Sequence, residues 1–144
     1  MSREFVDTNV ILYAYDVSDP QRHRPARSLM RRLAGDGTGA LSVQVMQEFF
    51  VNATRKLHQP LSHHDAREAL SALATWSVHS PLPRDVIAAT TLAEEVQLSF
   101  WDAMIVQSAV VLGCSTLWSE DLNPGQTIQG VTIKNPFDPE TPAG

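Results

Sequence analysis

Short strand-like segments alternate with helical segments along most of this chain, and that alternation constrains the fold more than any other feature. The strand-like runs are brief and apolar, whereas the segments between them repeat apolar residues at the spacing of an amphipathic helix. Strands that alternate with helices form βαβ units, in which helices cover parallel strands. We therefore predict an α/β fold: a three-layer α/β/α domain whose central parallel sheet has four to five short strands flanked by helices.

The predicted elements fill one domain. The predicted strands cover residues 4–6, 40–42, 76–79, 115–118 and 131–133. The predicted helices cover residues 10–15, 21–33, 43–57, 62–74, 83–96 and 100–112. The last helix is apolar almost all round, so we expect it to be central and buried. Residues 136–144 include three prolines, and we expect a single domain over residues 1–137 with a flexible tail over residues 138–144.

The charge of the chain limits the kinds of partner that it can bind. Its formal net charge of −5 argues against a protein that binds nucleic acid non-specifically through excess positive charge. The acidity is uneven, because residues 1–75 carry nine basic and eight acidic residues, whereas residues 76–144 carry two basic and eight acidic ones. The second half of the chain is therefore where the carboxylates need an explanation.

Cysteine content and hydropathy indicate the compartment. The single cysteine, Cys114, excludes a disulfide framework and a cysteine-based zinc site, and it fits a reducing environment. The longest uncharged run, residues 103–119, includes polar residues and is shorter than the roughly 20 apolar residues that span a bilayer. The first residues show no signal-peptide pattern. We expect a cytoplasmic protein that does not enter a membrane.

Two acidic residues, Asp7 and Asp121, stand where a parallel sheet places its ligands, beyond the carboxyl ends of the strands. A third, Asp102, stands in a helix that we expect to be buried, where a carboxylate is costly unless it is paired, hydrogen-bonded or bound to a cation. Asp7 directly follows the first strand, Asp121 lies three residues past Trp118, and Asp102 falls in the first turn of the apolar helix. Each acid also has a structural explanation: a helix cap, a turn, or a charge that complements the helix dipole. Helical periodicity does not single out Glu48, which lies beside the apolar stripe of its helix. Position alone leaves these alternatives open.

Four sequence blocks, each with one of these acids, occur in the order typical of one enzyme family. The blocks cover residues 5–14, 41–50, 98–106 and 117–122. Together they resemble the PIN-domain ribonucleases, over roughly residues 4–137. The ending Asn135-Pro136-Phe137 resembles the VapC-type toxins of bacterial type II toxin–antitoxin pairs.

This resemblance implies a metal-dependent endoribonuclease that hydrolyses RNA phosphodiester bonds. The catalytic acids, which also hold one or two Mg²⁺ or Mn²⁺ ions, are expected to be Asp7, Glu48, Asp102 and Asp121. We expect Asp7 and Asp102 to bind metal directly, and the other two directly or through water, so that a water molecule is activated for attack. Polar groups around the metal or the substrate are expected at Thr8, Asn9, Ser42 and Ser119. The resemblance further implies a cognate antitoxin that covers the acids, often with a basic side chain, and a homodimer.

Other features have two interpretations each. Arg24, Arg27 and Arg31 lie on one face of the helix over residues 21–33, and that face could contact RNA phosphates, with Arg24 and Arg27 as the contacts to test, or simply be solvated. The run His63-His64-Asp65 is better explained as an exposed helix start than as a metal site. Trp101 is most simply a core residue, although its position beside Asp102 could place it in the catalytic pocket.

Two other classes of function compete with the nuclease. One is a catalytically degenerate PIN domain that acts as an RNA-binding or protein-binding module, against which the four retained acids argue. The other is a receiver or phosphatase domain that uses Asp7 as a phospho-acceptor. A receiver needs an acidic pair near its first strand, whereas Asp7 is followed by Thr8 and Asn9.

Overall fold

The computed structural model describes residues 2–138, which form six helices around a six-stranded sheet. The strands are β1 (Glu4–Val6), β2 (Gly39–Ser42), β3 (Ser77–His79), β4 (Thr116–Trp118), β5 (Thr127–Ile128) and β6 (Val131–Lys134). Their order across the sheet is β3-β2-β1-β4-β6-β5, and every neighbouring pair is parallel except β5 with β6. The predicted α/β fold with a parallel sheet between helices is confirmed.

Six helices connect and cover these strands. They are α1 (Thr8–Ala14), α2 (Pro20–Asp36), α3 (Val43–Arg55), α4 (His63–Leu73), α5 (Pro83–Val96) and α6 (Phe100–Val111). Side-chain oxygens cap five of them at the N-terminus, where they accept hydrogen bonds from amides that no helical carbonyl can reach. These caps are Asp7, Asp19, Ser42, Ser62 and Ser99.

One strand of the sheet escaped prediction, which brings the strand count to six instead of four to five. Thr127 and Ile128 pair antiparallel with Thr132 and Val131. Gln129 and Gly130 join the two strands, and both have positive φ angles, 48° and 87°. Positive φ at both residues is the geometry of the two-residue turn that matches the twist of a hairpin. A two-residue strand is too short to show an alternating pattern in the sequence.

The predicted helices agree with the structure in number and order. The first begins at Thr8, two residues earlier than predicted, because the Asp7 side chain accepts a hydrogen bond from the Thr8 amide and caps it. The second extends to Asp36 and ends at Gly37, whose φ of 70° is the left-handed conformation that favours glycine. None of the helices described over residues 2–138 is long and apolar enough to cross a membrane.

The core lies where the two central strands meet the helices. Phe5, Val6 and Leu117 are fully buried on β1 and β4, and Ala103 and Val106 of α6 are fully buried as well. The apolar helix is therefore buried along its middle, as predicted, although its end residues Trp101 and Val111 are exposed. The tail predicted over residues 138–144 lies, apart from Asp138, outside the described residues.

The site position follows from the strand order. β1 lies between β2 and β4 in the sheet. The chain first continues from β1 to β2 and β3 on one side, and it later crosses to β4 on the other side of β1. In open α/β sheets, such a switch point opens a crevice at the carboxyl ends of the strands. Val6 is in register with Trp118 there, and the Asp7 amide donates to the Trp118 carbonyl over 2.9 Å. The residues that follow β1 and β4 are consequently side by side.

Candidate active site

All four predicted acids line one cavity of about 210 Å³ at this switch point. They come from four different segments: the end of β1, the helix α3, the first turn of α6 and the loop after β4. The residues around this acid cavity are Asp7, Thr8, Asn9, Leu12, Gln44, Glu48, Asn52, Trp101, Asp102, Ile105 and Asp121. The structure thus brings together carboxylates that lie up to 114 residues apart in the sequence.

Asp7 is the most enclosed of the four acids, with only 6% of its surface exposed. One carboxylate oxygen accepts a hydrogen bond from the Thr8 amide over 2.7 Å, and the other accepts one from the Ser119 hydroxyl over 2.9 Å. The N-cap position explains the first of these bonds. The capping interpretation and the catalytic interpretation of Asp7 are therefore compatible, because a cap also fixes the orientation of the carboxylate.

Asp121 lies in the exposed loop after β4 and is held from two sides. Its amide donates to the Ser119 Oγ over 3.2 Å, and its carboxylate accepts a hydrogen bond from Asn9 Nδ2 over 2.7 Å. Ser119, which is completely buried, therefore joins Asp7 to Asp121 through a single hydroxyl. Both polar neighbours, Asn9 and Ser119, are residues that the sequence predicts around the site.

Glu48 and Asp102 approach the cavity from two helices. The Thr8 hydroxyl donates to one carboxylate oxygen of Glu48 over 2.7 Å, and Gln44 Nε2 donates to the other over 3.3 Å. Asp102 stands at the start of α6, where its amide donates to the Ser99 Oγ over 3.1 Å. The Asp102 carboxylate lies close enough to Glu48 and Asp121 for their charges to act on it.

Burial and the neighbouring negative charges raise the pKa values of two of the four acids, Asp7 and Asp102. Burial raises the pKa of Asp7 to about 6; the bonds from Ser119 and Thr8 oppose this rise, and the charges of Glu48 and Asp102 add to it. Burial also raises the pKa of Asp102, and the charges of Asp121 and Glu48 act in the same direction. Such shifts, produced by burial together with like charges in a crevice, are typical of functional sites.

The donor atoms of the acid cavity fit a hard divalent cation. They are carboxylate, amide and hydroxyl oxygens, with no thiolate or imidazole among the residues that line the cavity, and Mg²⁺ and Mn²⁺ prefer such ligands. Across residues 2–138, no group of three or more His, Cys, Asp or Glu side chains is arranged so that it could hold an ion. Mg²⁺ usually keeps several waters and binds through one or two carboxylates, so a complete protein cage is not required.

The remaining predicted residues lie outside the acid cavity. Ser42 is completely buried and caps α3 by accepting from the Val45 amide, so its hydroxyl supports the helix that carries Glu48. Arg24 and Arg27 line a separate surface depression of about 590 Å³ on α2. The run His63-His64-Asp65 forms the exposed first turn of α4, in agreement with its structural interpretation.

Five cavity residues were not predicted with the acids: Leu12, Gln44, Asn52, Trp101 and Ile105. Gln44 and Asn52 flank Glu48 at intervals of four residues on α3, so the three side chains share one helix face, and this spacing was the available signal. Trp101 lines the cavity and is 63% exposed, so the core interpretation of this residue is wrong and the residue lies beside Asp102 at the acid cavity.

The solved structures similar to this chain include a toxin–antitoxin complex, a toxin and a VapBC2 structure. A toxin–antitoxin complex from Klebsiella pneumoniae matches with a TM-score of 0.66 and 21% identity, covering 90% of this chain and 95% of that one. VapC20 of Mycobacterium tuberculosis, described as a toxin that cleaves the sarcin-ricin loop, matches with a TM-score of 0.59 and 20% identity, covering 79% and 86%. VapBC2 of Rickettsia felis, bound to a DNA fragment from its promoter, matches with a TM-score of 0.62 and 17% identity, covering 92% and 97%.

These likenesses, at low identity, establish the fold that the sequence blocks indicate. The comparison with curated protein sequences gave no match. The model of the PIN domain family matches residues 5–126, a stretch that includes all four acids of the cavity. This match covers most of the described domain, and the chain belongs to the PIN domain family.

Proposed function

We propose that this protein is an endoribonuclease that hydrolyses RNA phosphodiester bonds with the help of Mg²⁺ or Mn²⁺ held in the acid cavity. One observation carries the proposal: four carboxylates from four separate segments converge on one cavity at the switch point of the sheet. A fold gains no stability from gathering like charges, so such an arrangement calls for a cation.

The protein residues act by holding oxygen ligands in place. A divalent ion, when bound, would lower the pKa of an attacking water and offset charge on the phosphate. Asp7 and Asp102 would hold it directly, and Glu48 and Asp121 directly or through water. Ser119 fixes the orientation of Asp7, and Thr8 fixes that of Glu48, through the bonds described above. These partners reduce the reorganisation needed when the ion and the substrate bind.

The cellular setting that we infer is a toxin–antitoxin pair. Two of the similar structures are a toxin–antitoxin complex and a VapBC complex, and a third is a VapC toxin. We infer that this chain is the toxin, acts in the cytoplasm, forms a homodimer and is inhibited by an antitoxin that covers the acid cavity. A basic side chain from such a partner would pair with the carboxylates of the cavity, where burial and neighbouring negative charges raise the pKa of Asp7 and of Asp102.

The test is cleavage of total RNA and of a fluorescent single-stranded RNA with Mg²⁺, with Mn²⁺ and with EDTA. We expect cleavage with either metal and none with EDTA. Asp7→Asn and Asp102→Asn should abolish it, because each keeps the shape of the side chain and removes the charge. Glu95→Gln, on the exposed surface of α5, is the matched control and should cleave normally. Cleavage in EDTA, or by Asp7→Asn at the normal rate, would contradict the proposal.

A degenerate PIN domain that only binds RNA or protein is the second candidate. The observation that favours it is the absence, within residues 2–138, of a ready three-ligand group for an ion. Calorimetric titration of Mn²⁺ into the wild type and into Asp7→Asn discriminates between the two. Binding that the substitution abolishes supports the nuclease, and equal heats from both proteins support the binding module.

A further inference from the structure

The acid cavity presents an electrostatic difficulty for an RNA substrate. Its lining contains four carboxylates and no lysine or arginine. Phosphates and carboxylates repel each other, and even a bound divalent ion leaves most of the substrate without a cationic contact inside the cavity. Binding energy for RNA must therefore come from uncharged groups at the rim or from a neighbouring basic surface.

Trp101 is the largest uncharged group at the rim. Its exposed fraction is 63%, whereas Trp118 is 2% exposed and Trp76 is half-buried. The Trp101 indole contacts the Phe100 ring edge to face, with centroids 5.0 Å apart and planes at 74°. The backbone carbonyl of Trp101 accepts a hydrogen bond from Gln44 Nε2. The Trp101 side chain therefore lies beside the acids and buries little of its own surface within the protein.

A second depression of about 360 Å³ continues from the opposite side of the acid cavity. The two share Asn9, Leu12 and Asn52, and the second is also lined by Asp16 and by Lys56 at the C-terminal end of α3. Lys56 is exposed and forms no ion pair with the described residues. We call the path from Trp101 across the acids and Asn52 to Lys56 the substrate groove. It offers an aromatic surface at one end and a cation at the other.

We propose that single-stranded RNA lies along the substrate groove, with one nucleobase stacked on Trp101 beside the reacting phosphate and a further phosphate on Lys56. Stacking on an aromatic ring tolerates any base, because every base has a π-face, and it does not depend on charge. Paired bases are not open to such contact, so the geometry selects single strands or loops. This inference rests on the proposed function and adds to it the two binding contacts, at Trp101 and at Lys56.

The experiment measures RNA affinity and its salt dependence together. The probe is an eight-nucleotide single-stranded RNA with a fluorescent label, bound to Asp7→Asn protein so that cleavage is suppressed. Trp101→Leu in that background should weaken binding about 5- to 150-fold without changing the salt slope, because stacking releases no counterions. Lys56→Gln should lower the slope by about 0.7, the value for one phosphate contact on a single strand. Trp101→Phe should retain most of the affinity.

Controls separate stacking from folding. Val111→Ala removes an exposed apolar side chain at the far end of the same helix, and it should leave affinity unchanged. Trp101→Leu should keep the melting temperature of the parent, since the indole is mostly exposed. With an abasic sugar-phosphate oligomer as the probe, Trp101→Leu should bind as its parent does.

The possible outcomes separate this inference from the proposed function. If the wild type cleaves RNA with metal while Trp101→Leu and Lys56→Gln match the Asp7→Asn parent in affinity and, when made in the active wild type, match it in KM, the groove is overturned and the nuclease stands. If no RNA is cleaved but Trp101→Leu weakens binding as expected, the nuclease is overturned and the groove stands. If RNA is neither cleaved nor bound, both are overturned.

Discussion

The Ser119 hydroxyl donates a hydrogen bond of 2.9 Å to the Asp7 carboxylate, although 112 residues separate the two in the chain. The same oxygen accepts a hydrogen bond from the Asp121 amide. One buried serine thus fixes two acids that follow different strands, and it donates to Asp7, the most buried of the four acids. The pairing exists because β1 and β4 are neighbours in register, so the residues after Val6 and Trp118 meet.

Ser119→Ala should weaken divalent metal binding about 10- to 100-fold, the usual effect of losing a residue that orients a ligand. The Ser119 bond lowers the pKa of Asp7, so its loss should also raise that pKa further. Mn²⁺ titration by calorimetry measures the affinity. Ser108→Ala is the control, because Ser108 is buried like Ser119 but bonds to His79, and neither Ser108 nor His79 lines the acid cavity. Each variant should lose about 1–3 kcal/mol of unfolding free energy. Equal metal affinity in both would refute the orienting function of Ser119.

Asp7 should make the metal-free protein less stable as the pH rises. Its pKa is about 6 when folded against 3.8 as the ordinary value, so the folded state holds the proton more tightly between these two. The unfolding free energy therefore falls as the pH rises through this window, by on the order of 3 kcal/mol. Asp7→Asn lacks this titration and keeps the cap. It should be more stable than the wild type at pH 7 in EDTA and equally stable below pH ~3.8.

Urea unfolding at several pH values, with and without Mg²⁺, measures this effect. Saturating Mg²⁺ should stabilise the wild type by mass action and leave Asp7→Asn unchanged. Glu95→Gln changes the charge equally on an exposed surface and should follow the wild type at every pH. A wild type whose stability does not fall between pH 4 and pH 6 relative to Asp7→Asn would contradict the raised pKa.

Much of the fold was accessible from the sequence because local signals determine it. Helix starts depend on caps such as Ser62 and Ser99, which act on amides three residues away, and the structure contains both. The strand order is not local: no pattern within β1 indicates that β4, more than a hundred residues later, lies beside it. β5 was missed for another reason, since two residues cannot show periodicity.

The site residues likewise divide into those that local sequence signals indicate and those that depend on contacts between distant segments. Asp7 and Asp121 follow strands, where ligands bind in parallel sheets, whereas Glu48 was found only through the order of the four blocks. Its helical position is unremarkable in the sequence, and its connection to Thr8 spans 40 residues. The sequence favours a core position for Trp101 and leaves the pocket as an alternative, and the structure places the first turn of α6 at the rim of the cavity. The composition of a helix shows how apolar it is, but it does not show which end of the helix lies at the protein surface.

Arg22→Gln should loosen the loop that carries Asp121. The Arg22 guanidinium donates to Glu120 over 2.7 Å and lies over the rings of Tyr13 and Phe137, at 5.5 and 5.8 Å. The pair is partly exposed, so its loss should cost about 1 kcal/mol or less of stability. Mn²⁺ affinity should fall by less than the 10- to 100-fold expected for direct partners of the ligands.

Calorimetry and urea unfolding measure both effects of this substitution. Arg22→Lys keeps the charge but not the planar contact with the two rings, and it should fall between the wild type and Arg22→Gln. Arg67→Gln, an exposed arginine on α4, is the control and should bind Mn²⁺ normally. Unchanged Mn²⁺ affinity in Arg22→Gln would show that Glu120 does not position its neighbour Asp121.

Gly39→Ala should destabilise the domain, because a Cβ at this position would lie 2.3 Å from the Trp76 ring. Gly39 is buried at the start of β2, so either the ring or the strand must shift, at a cost of about 1–3 kcal/mol. Gly35→Ala is the matched control, since nothing lies within 4 Å of its added methyl group and the residue is helical. It should stabilise the protein by about 0.5–1 kcal/mol. Urea unfolding of both variants decides the matter: equal stabilities would show that the Trp76 ring yields without cost.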